Sequence, residues 1–356
     1  MPMRVHMLSE PEAPFRAHLE THLRGVEITY GETPPDPAEY AVLIAGRPSD
    51  QLLDASAKLG ILVIPYAGLP KATRDQVRTR PHLRVHNIHH NAGPAAELAM
   101  ALLLAASKFI VPMDRSLRRG DWTPRYEPNP SVLLAGKHAL VLGFGAIGQR
   151  IAAACKGLGM QVTAVRRNPG DTVRDSGGTV HTLSDPVRNS GATVGHPSNR
   201  GSHAGSVRIA GPEALVQLLP RADALLAALP LTPRTEGMIG PAEIARLPEH
   251  AVIVNVGRGP VIDQTALYEA LRDRRLRAAG LDVWYNYPSS EGTRTHTPPA
   301  DHPFEELDNV VLSPHRGGAL GLDESELRRM DAIAHSLNQA AAGQPMPYPV
   351  DPEEGY

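Results

Sequence analysis

Short apolar runs alternate with amphipathic stretches along most of the chain. This alternation is typical of parallel sheets whose strands are joined by crossover helices. A first series of strands is predicted in RVHML, VEITY, AVLIA, LVIPY and LRVHN. A second series is predicted in HALVLG, QVTAV, ADALLAALP, AVIVNVG, AAGLDVW and NVVLSPH. The pattern therefore predicts two α/β units.

Two longer apolar patterns predict helices. Residues 94–117 begin with a proline and predict a long helix that is interrupted near Pro112 and buried over its first half. Residues 324–342 predict a last helix, and the pattern alone leaves open whether it packs on the first unit.

Residues 170–209 break the alternation. The segment is full of Gly, Ser, Thr and Asn and contains no Phe, Tyr, Trp or Lys. Such a composition cannot supply much of a core, so it predicts a flexible surface insertion.

Composition narrows the class of protein. The 356 residues are 42% hydrophobic and carry a net charge of −2, which gives no sign of disorder or of a nucleic-acid partner. Cys155 is the only cysteine, and neither a signal peptide nor an apolar run of membrane-spanning length is apparent. We expect a globular cytoplasmic protein with no membrane or nucleic-acid partner.

The first chemical signal is VLGFGAIGQR, which places Gly143, Gly145 and Gly148 between a predicted strand and a predicted helix. In this context G-x-G-x-x-G predicts a site where a dinucleotide pyrophosphate meets the helix N-terminus. The alternative is a tight strand-to-helix turn that binds no ligand.

At the end of the next strand stand Arg166 and Arg167, where an NAD site would place an acidic residue for the ribose diol. Two guanidinium groups suit a 2′-phosphate better than a neutral diol. The pair therefore favours NADP, with NAD still possible. The alternative is two solvated arginines that follow a strand.

Three further strand ends each carry one polar group: Arg258, Asp282 and His315. Because the carboxyl ends of parallel strands point to one edge of a sheet, these side chains are expected to gather there. A guanidinium can hold a carboxylate and polarise a carbonyl, and an imidazole can donate a proton as hydride arrives. Each residue alone is more often structural, but together they predict reduction of a 2-keto acid.

The chain resembles the D-isomer-specific 2-hydroxyacid dehydrogenase family. The motifs that carry the resemblance are HNAGPAAELAMALLLA, LVLGFGAIG, LPLTPRTEGMIG, VNVGRGPVID, AAGLDVW and LSPHRGG, in the family's order. The resemblance implies two doubly wound parallel-sheet domains, with a Rossmann-type nucleotide domain (residues 111–318) inserted into a flavodoxin-like substrate domain (1–110 and 319–356). It also implies an active cleft between the domains and a homodimer.

The resemblance also assigns roles by position. Arg258 is expected to bind substrate, His315 to act as the acid/base, and Asp282 to lie near the nicotinamide. Asn91 and Glu97 also match the family pattern, and the backbone of Ala67 and Gly68 is expected at the substrate carboxylate. Beyond the three glycines and two arginines named above, the expected cofactor contacts are Ala146, Ile147, Pro230, Thr235, Val256, Gly257 and Gly317.

Two positions depart from the family pattern. Arg166 replaces the usual acidic residue, as in NADP-dependent glyoxylate or hydroxypyruvate reductases of the family. Tyr287 stands in NYP, where the family has a glutamate that pairs with the catalytic histidine. We assign Tyr287 to the substrate site, as cleft wall beside Trp284 or through its hydroxyl.

The missing glutamate leaves two alternatives open. Formate dehydrogenases of the family also lack it, since formate oxidation needs no proton relay. The fold is also used by nicotinamide-responsive corepressors, which bind the cofactor without turnover. His86, His89 and His90 lack flanking Cys or carboxylate ligands, so we predict a cleft-lining loop there and no metal site.

Overall fold

A computed structural model describes residues 1–168, 173–174, 180–181 and 206–355. The chain folds into two compact units, one formed by Met1–Pro94 with Gly318–Tyr356 and the other by Ala95–Gly317. The predicted flexible insertion lies mostly outside the described residues.

The amino-terminal part of the first unit alternates strands and helices, as the apolar runs predict. Its elements are β1 (Met3–Met7), α1 (Ala13–His22), β2 (Val26–Tyr30), β3 (Val42–Ile44), α2 (Asp50–Asp54), β4 (Ile61–Ile64), α3 (Lys71–Arg78) and β5 (Arg84–Asn87). All residues of β3 and β4 are buried. Continuous burial of this kind is expected of central strands covered on both faces.

The second unit continues the alternation. Its helices and strands are α4 (Ala92–Ser107, beginning in the first unit), α5 (Ile110–Arg118), β6 (His138–Leu142), α6 (Ala146–Gly157), β7 (Gln161–Val165), β8 (Val173–Arg174), β9 (Val180–His181), β10 (Arg208–Ala210), α7 (Leu215–Leu218), β11 (Ala224–Ala227), α8 (Pro241–Ile244), β12 (Val252–Asn255), α9 (Gln264–Arg272), β13 (Ala278–Leu281) and β14 (Val310–Leu312). Short 3₁₀ turns occur at Thr123–Arg125, Pro212–Ala214, Leu219–Arg221, Gly259–Val261, Glu291–Thr293 and Phe304–Glu306.

The chain then returns to the first unit through α10 (Asp323–Ala341) and β15 (Pro349–Val350). Met330, Ile333 and Leu337 of α10 are buried in one cluster with Leu19 of α1 and Val5 of β1. The last helix therefore packs on the first unit, which settles the placement that the pattern left open.

Both large sheets have the doubly wound order expected of the fold class. The first runs β15-β5-β4-β3-β1-β2, and its strands are parallel except for β15. The second runs β10-β7-β6-β11-β12-β13-β14 and is parallel throughout. In the second sheet the chain builds outward from β6 on one side and then crosses back to β11. Neighbouring β6 and β11 therefore form the switch point, outside which ligands bind in open α/β sheets.

Helix α4 packs on the second sheet. Its Ala99, Leu102 and Leu103 share a buried cluster with Ala139 and Val141 of β6. In β13, a Cβ added to Gly280 would lie 2.8 Å from the Cβ of Leu102, so only glycine permits this approach. This packing explains why the compact units divide after Pro94, whereas the sequence predicts a boundary after residue 110.

Two details differ from the sequence prediction. The break between α4 and α5 lies at Phe109, which has a left-handed φ of 53°, and not at Pro112. Pro112 lies in the first turn of α5, where a missing N–H costs no helical hydrogen bond. The predicted insertion also ends earlier than residue 209, because Arg208–Ala210 form the edge strand β10 beside β7.

Among the described residues, no single helix has the length and apolarity to cross a bilayer. Helices α4 and α5 together have that length and apolarity, but the pair is bent by 66°.

Candidate active site

The glycine-rich turn between β6 and α6 has the geometry of a dinucleotide cradle. Gly143 has φ +93°, and a Cβ on Gly148 would lie 1.9 Å from the Gly143 carbonyl oxygen. By contrast, a Cβ on Gly145, the N-cap of α6, would meet nothing within 4 Å. The turn is therefore closed on the protein side and open at the helix N-terminus. There Ala146 and Ile147 begin α6, and the free backbone N–H groups of a helix start attract phosphate.

The loop after β11 lies beside this turn. A Cβ on Gly143 would approach the Ala228 carbonyl oxygen to 2.9 Å. Farther along, the Thr235 hydroxyl donates to the Pro230 carbonyl oxygen (2.6 Å) and accepts from the Thr232 amide (2.9 Å). In this structure the Thr235 hydroxyl therefore fixes the shape of the loop. The predicted cofactor contacts of Pro230 and Thr235 stay predictions.

Asn255 at the end of β12 shapes the loop that presents Arg258. Its side-chain oxygen accepts from the Gly257 amide (3.0 Å), and its side-chain nitrogen donates to the Arg258 carbonyl oxygen (3.0 Å). Val256 is buried, and a Cβ on Gly257 would lie 2.5 Å from the Leu229 carbonyl oxygen. The exposed Arg258 is thus anchored through its backbone, while its guanidinium donates to the Gly257 carbonyl oxygen (2.7 Å).

Asp282 follows β13 and organises the loop after β14. One carboxylate oxygen accepts from the Ser313 hydroxyl (2.5 Å) and the Arg316 amide (2.8 Å), and the other accepts from the Gly317 amide (2.9 Å). Asp282 is 1% exposed. These bonds bracket His315, which has a left-handed φ of 58°. Asp282 therefore holds the histidine loop, and its predicted place near the nicotinamide is untested.

Arg258 and His315 follow strands at the same edge of the second sheet, and the charge of Arg258 affects the imidazole. Burial lowers the pKa of His315 below its ordinary value, the positive charge of Arg258 lowers it further, and Asp282 offsets part of the effect. Arg258 follows β12 and His315 follows β14, on either side of β13. The ends of these strands therefore lie at one edge of the parallel sheet, as the sequence predicts, and the substrate roles of both residues stay predictions.

The aromatic cluster at 284–287 divides into two parts. Trp284 and Tyr285 are core residues: the indole packs edge-on against Phe304, and the Tyr285 hydroxyl donates to the Ile262 carbonyl oxygen (2.8 Å). Tyr287 instead is 48% exposed, with its ring 5.5 Å from the His315 ring. Its hydroxyl oxygen accepts from the Trp284 amide (3.1 Å), so its proton is available for another acceptor.

No carboxylate takes the place of the family glutamate within the described part of the chain. No ion pair to His315 is present there, and Glu291 pairs with Arg294. Asp282 is the nearby acidic group, but its oxygens accept from the 313–317 loop. The pKa of His315 is lowered, as is expected of a partly buried imidazole that lacks a paired carboxylate.

Arg166 and Arg167 lie directly after β7, at the same edge of the sheet as the glycine-rich turn. Arg166 is half-buried and its amide donates to the Ala210 carbonyl oxygen of β10 (3.0 Å), while Arg167 is exposed. Strand β10 therefore fixes the backbone of Arg166, a support that the sequence did not reveal.

The predicted substrate residues Ala67, Gly68 and Asn91 lie in the first unit. Ala67 and Gly68 follow β4 and are half-buried, and Gly68 has φ +91°. The side-chain oxygen of Asn91 is buried and has no hydrogen-bond partner among the described residues. Glu97 lies exposed on α4, in the second unit.

Asn255 and Ser313 are site residues that sequence reasoning missed. Asn255 is the last residue of the buried strand β12, and Ser313 directly follows β14, whose last residue is exposed. Both lie close in sequence to residues that were singled out. For Asn255 the position was a usable signal, because a buried polar group at a strand end must find hydrogen-bond partners.

Comparison with known proteins identifies the family. The model for "D-isomer specific 2-hydroxyacid dehydrogenase, NAD binding domain" matches residues 100–200 and 193–317. The chain belongs to the D-isomer specific 2-hydroxyacid dehydrogenase family.

The curated relatives of this chain include two kinds of enzyme. A D-3-phosphoglycerate dehydrogenase of Methanocaldococcus jannaschii is 32% identical over 250 residues, covering 70% of this chain and 39% of the relative. A glyoxylate reductase of Korarchaeum cryptofilum is 30% identical over 262 residues, covering 72% and 66%. The chain thus spans less than half the length of the phosphoglycerate dehydrogenases it matches.

Solved structures of this family share the fold over the whole chain. A D-isomer specific 2-hydroxyacid dehydrogenase from Xanthobacter autotrophicus Py2, in complex with NADPH and MES, has a TM-score of 0.71 at 20% identity and 100% coverage of both chains. An NADPH-dependent glyoxylate/hydroxypyruvate reductase from Sinorhizobium meliloti, in complex with NADP and sulfate, has a TM-score of 0.69 at 20% identity, covering 99% of this chain and 100% of that one.

Proposed function

We propose that this protein is a 2-keto acid reductase that uses NADPH and forms a D-2-hydroxy acid. The observation that carries the proposal is the convergence of Arg258 and His315 at the edge of the sheet that also bears the glycine-rich turn. A guanidinium and an imidazole at this edge match the needs of a keto acid, whose carboxylate requires a cation and whose carbonyl oxygen requires a proton.

The residues of the second unit fit a nicotinamide dinucleotide. The turn leaves no room for a side chain at Gly143 or Gly148. The open space at Gly145 admits a pyrophosphate. The N–H groups at the start of α6 would hold the phosphates. Arg166 and Arg167 would hold a 2′-phosphate, which is the basis for preferring NADP over NAD.

The chain's own residues then supply the remaining chemistry. A bound reduced cofactor supplies the hydride that reaches the keto carbon. Arg258 binds the substrate carboxylate and polarises the carbonyl through charge-assisted hydrogen bonds. The His315 imidazolium donates its ring N–H proton to the carbonyl oxygen, which becomes the hydroxyl of the product.

Asp282 supports this proton transfer by positioning the loop that carries His315. By accepting from the Ser313 hydroxyl before His315 and from the Arg316 and Gly317 amides after it, Asp282 keeps the loop in the left-handed conformation that a non-glycine residue rarely adopts. The imidazole therefore does not have to be ordered at the moment of reaction.

The second candidate function is oxidation of a small anion without a proton relay. Tyr287 favours it, because the His315 it faces has no carboxylate partner among the described residues and a lowered pKa. NADPH consumption with glyoxylate, hydroxypyruvate and a bulkier 2-keto acid separates the candidates. Turnover of a keto acid supports the first proposal, and reduction of NADP only by formate supports the second. Tight cofactor binding without turnover of any acid would instead indicate a binding protein.

Cofactor preference is tested with a paired variant. We expect NADPH to bind more tightly than NADH, and the double variant Arg166→Ala with Arg167→Ala to erase the difference. Arg246→Ala, an exposed arginine of the same unit, serves as the control and should leave it intact. Equal affinities for both cofactors in the unaltered protein would refute the NADP assignment.

We further propose that the dinucleotide-binding domain, predicted at residues 111–318, corresponds to the compact unit Ala95–Gly317, and that the other unit contributes the remaining substrate contacts. We also propose that the protein is a cytoplasmic homodimer. Sedimentation equilibrium tests the dimer, and a monomer mass over the working concentration range would exclude it.

A further inference from the structure

A cluster of two histidines and one aspartate lies on the first unit. His18 and His22 are one helical turn apart on α1, and Asp331 comes from α10. One ligand atom from each residue lies within 4.8 Å of those of the other two. We propose that these residues bind one divalent transition-metal ion of the zinc type and thereby join α1 to α10. The proposal departs from our expectation of no metal site.

The hydrogen bonds of the cluster favour metal coordination by His22. Its Nδ1 lies 2.7 Å from the backbone carbonyl oxygen of His18, and a carbonyl can only accept, so Nδ1 carries the proton. The tautomer is therefore fixed with the Nε2 lone pair directed away from the backbone. Metal-binding histidines commonly donate their other ring N–H to a carbonyl or carboxylate in this way.

His18 and Asp331 supply the second and third ligands. His18 Nε2 lies 2.6 Å from the Asp331 carboxylate oxygen, so the two atoms already share a proton that a metal ion can replace. The rings of His18 and His22 have centroids 4.3 Å apart. Zinc-to-nitrogen and zinc-to-oxygen bonds are about 2.0–2.2 Å long, so only small side-chain rotations are needed to bring the three donors around one ion.

The backbone beneath the cluster is fixed, so metal binding would not have to order it. Leu19 is fully buried against α10, between the two histidines in sequence. At the end of α1, the Asn338 side chain donates to the His22 carbonyl oxygen (2.9 Å) and accepts from the Arg24 amide (2.8 Å). The side chains of His18 and Asp331 are 28% and 56% exposed, which leaves access for an ion from solvent.

The donor set determines which ions fit. Two imidazoles and one carboxylate suit Zn²⁺, Ni²⁺, Co²⁺ and Cu²⁺, whereas Mg²⁺ and Ca²⁺ prefer oxygen ligands. Three protein ligands leave at least one position for water. The site would therefore hold an exchangeable ion and stabilise the contact between the first and last helices.

The experiment is calorimetric titration of the whole protein with ZnCl₂ and, separately, MgCl₂. We expect one equivalent of Zn²⁺ to bind and Mg²⁺ not to bind. Because the chain has 16 histidines, the variants decide which of them bind. His22→Gln and Asp331→Asn should each weaken this Zn²⁺ binding at least tenfold. His82→Gln, an exposed histidine of the same unit outside the cluster, should leave it unchanged.

Thermal unfolding supplies a second measurement. Zn²⁺ should raise the midpoint of the unaltered protein and of His82→Gln, but not that of His22→Gln, since an ion that binds only the folded state stabilises it. A variant that is merely destabilised would start lower and still respond to Zn²⁺. Equal Zn²⁺ affinity in the unaltered protein and the cluster variants would overturn the proposal, as would the absence of Zn²⁺ binding. Neither result bears on keto acid reduction.

Discussion

Replacing Tyr287 with glutamate should shift the pH dependence of keto acid reduction toward alkaline pH. Reduction needs the protonated form of His315, whose pKa is lowered by burial and by Arg258. In the unaltered protein we therefore expect kcat/KM to decline as the pH rises toward neutrality. A glutamate at position 287 would place a negative charge beside the imidazole and favour its protonated form.

The expected size of the shift follows from the geometry. The Tyr287 and His315 rings are 5.5 Å apart. Two opposite charges at that distance attract by about 3 kcal/mol at an effective dielectric constant of about 20 and by about 0.8 kcal/mol in water. Because His315 is only partly buried and its ring is still open to solvent, solvent screening reduces the larger figure to about 1–2 kcal/mol. That energy moves the midpoint of the pH profile by about one pH unit.

The assay is kcat/KM for reduction measured from about pH 5 to pH 9, a range that spans the ordinary histidine pKa. Tyr287→Gln is the matched control, because it has the length of glutamate without the charge and should leave the midpoint where it is. A plateau that extends to about pH 8.5 in the unaltered protein would show that His315 already has an acidic partner. An equal shift with glutamine and glutamate would show that loss of the tyrosine, and not the new charge, is responsible.

Three further outcomes are expected. Arg258→Ala should lower kcat/KM for the keto acid by at least about 100-fold while leaving the Kd of the cofactor nearly unchanged, because it removes the carboxylate anchor and the polarising charge together. Gly148→Ala should weaken cofactor binding at least tenfold, since its Cβ would lie 1.9 Å from the Gly143 carbonyl oxygen and force the turn open. His90→Gln should reduce the loss of stability in acid. Burial lowers the pKa of His90 in the folded protein to about 4, so the unfolded chain binds the proton first as the pH falls from about 6.5 to 4. This difference lowers the free energy of unfolding by up to about 2 kcal/mol after solvent screening.

Each of these outcomes has its own check. For Arg258→Ala, cofactor fluorescence titration supplies the Kd, and retained turnover would assign substrate binding to another residue. For Gly148→Ala the control is Gly157→Ala in the same helix, whose Cβ would meet nothing within 4 Å. For His90→Gln, urea unfolding at pH 7 and pH 4.5 measures the difference, and an unchanged acid sensitivity would contradict the assignment.

The sequence predicted most of the sheet and the convergence of the site, because both follow from local pattern and one topological rule. Strands β11, β12 and β13 are continuous buried runs, β6 is buried after its first residue and β14 is buried only at its start; in a parallel sheet the carboxyl ends of all five share an edge. Arg258 and His315 could therefore be paired without coordinates. The three-residue strand β10 was missed because it directly follows a long segment of low apolar content.

Features that depend on distant contacts could not be predicted. The interaction of His18 with Asp331 joins residues 313 positions apart, and no periodicity in either helix indicates it. The left-handed break at Phe109 is set by packing, since the residue is 8% exposed and is a poor candidate for positive φ by type. Asp282 was recognised as important, but its hydrogen bonds to the histidine loop needed the structure.

The discontinuity of the first unit has a consequence for biosynthesis. Its sheet receives the edge strand β15 and the covering helix α10 only after residues 95–317 have been translated. At a synthesis rate of about 5–20 residues per second, the interval is about 10–45 s. During it the buried faces of α1 and β1, later covered by Met330, Ile333 and Leu337, remain without their partner. The second unit is continuous in sequence and can fold on the ribosome first. We therefore expect the nascent amino-terminal segment to be the part of this chain most exposed to misfolding during synthesis.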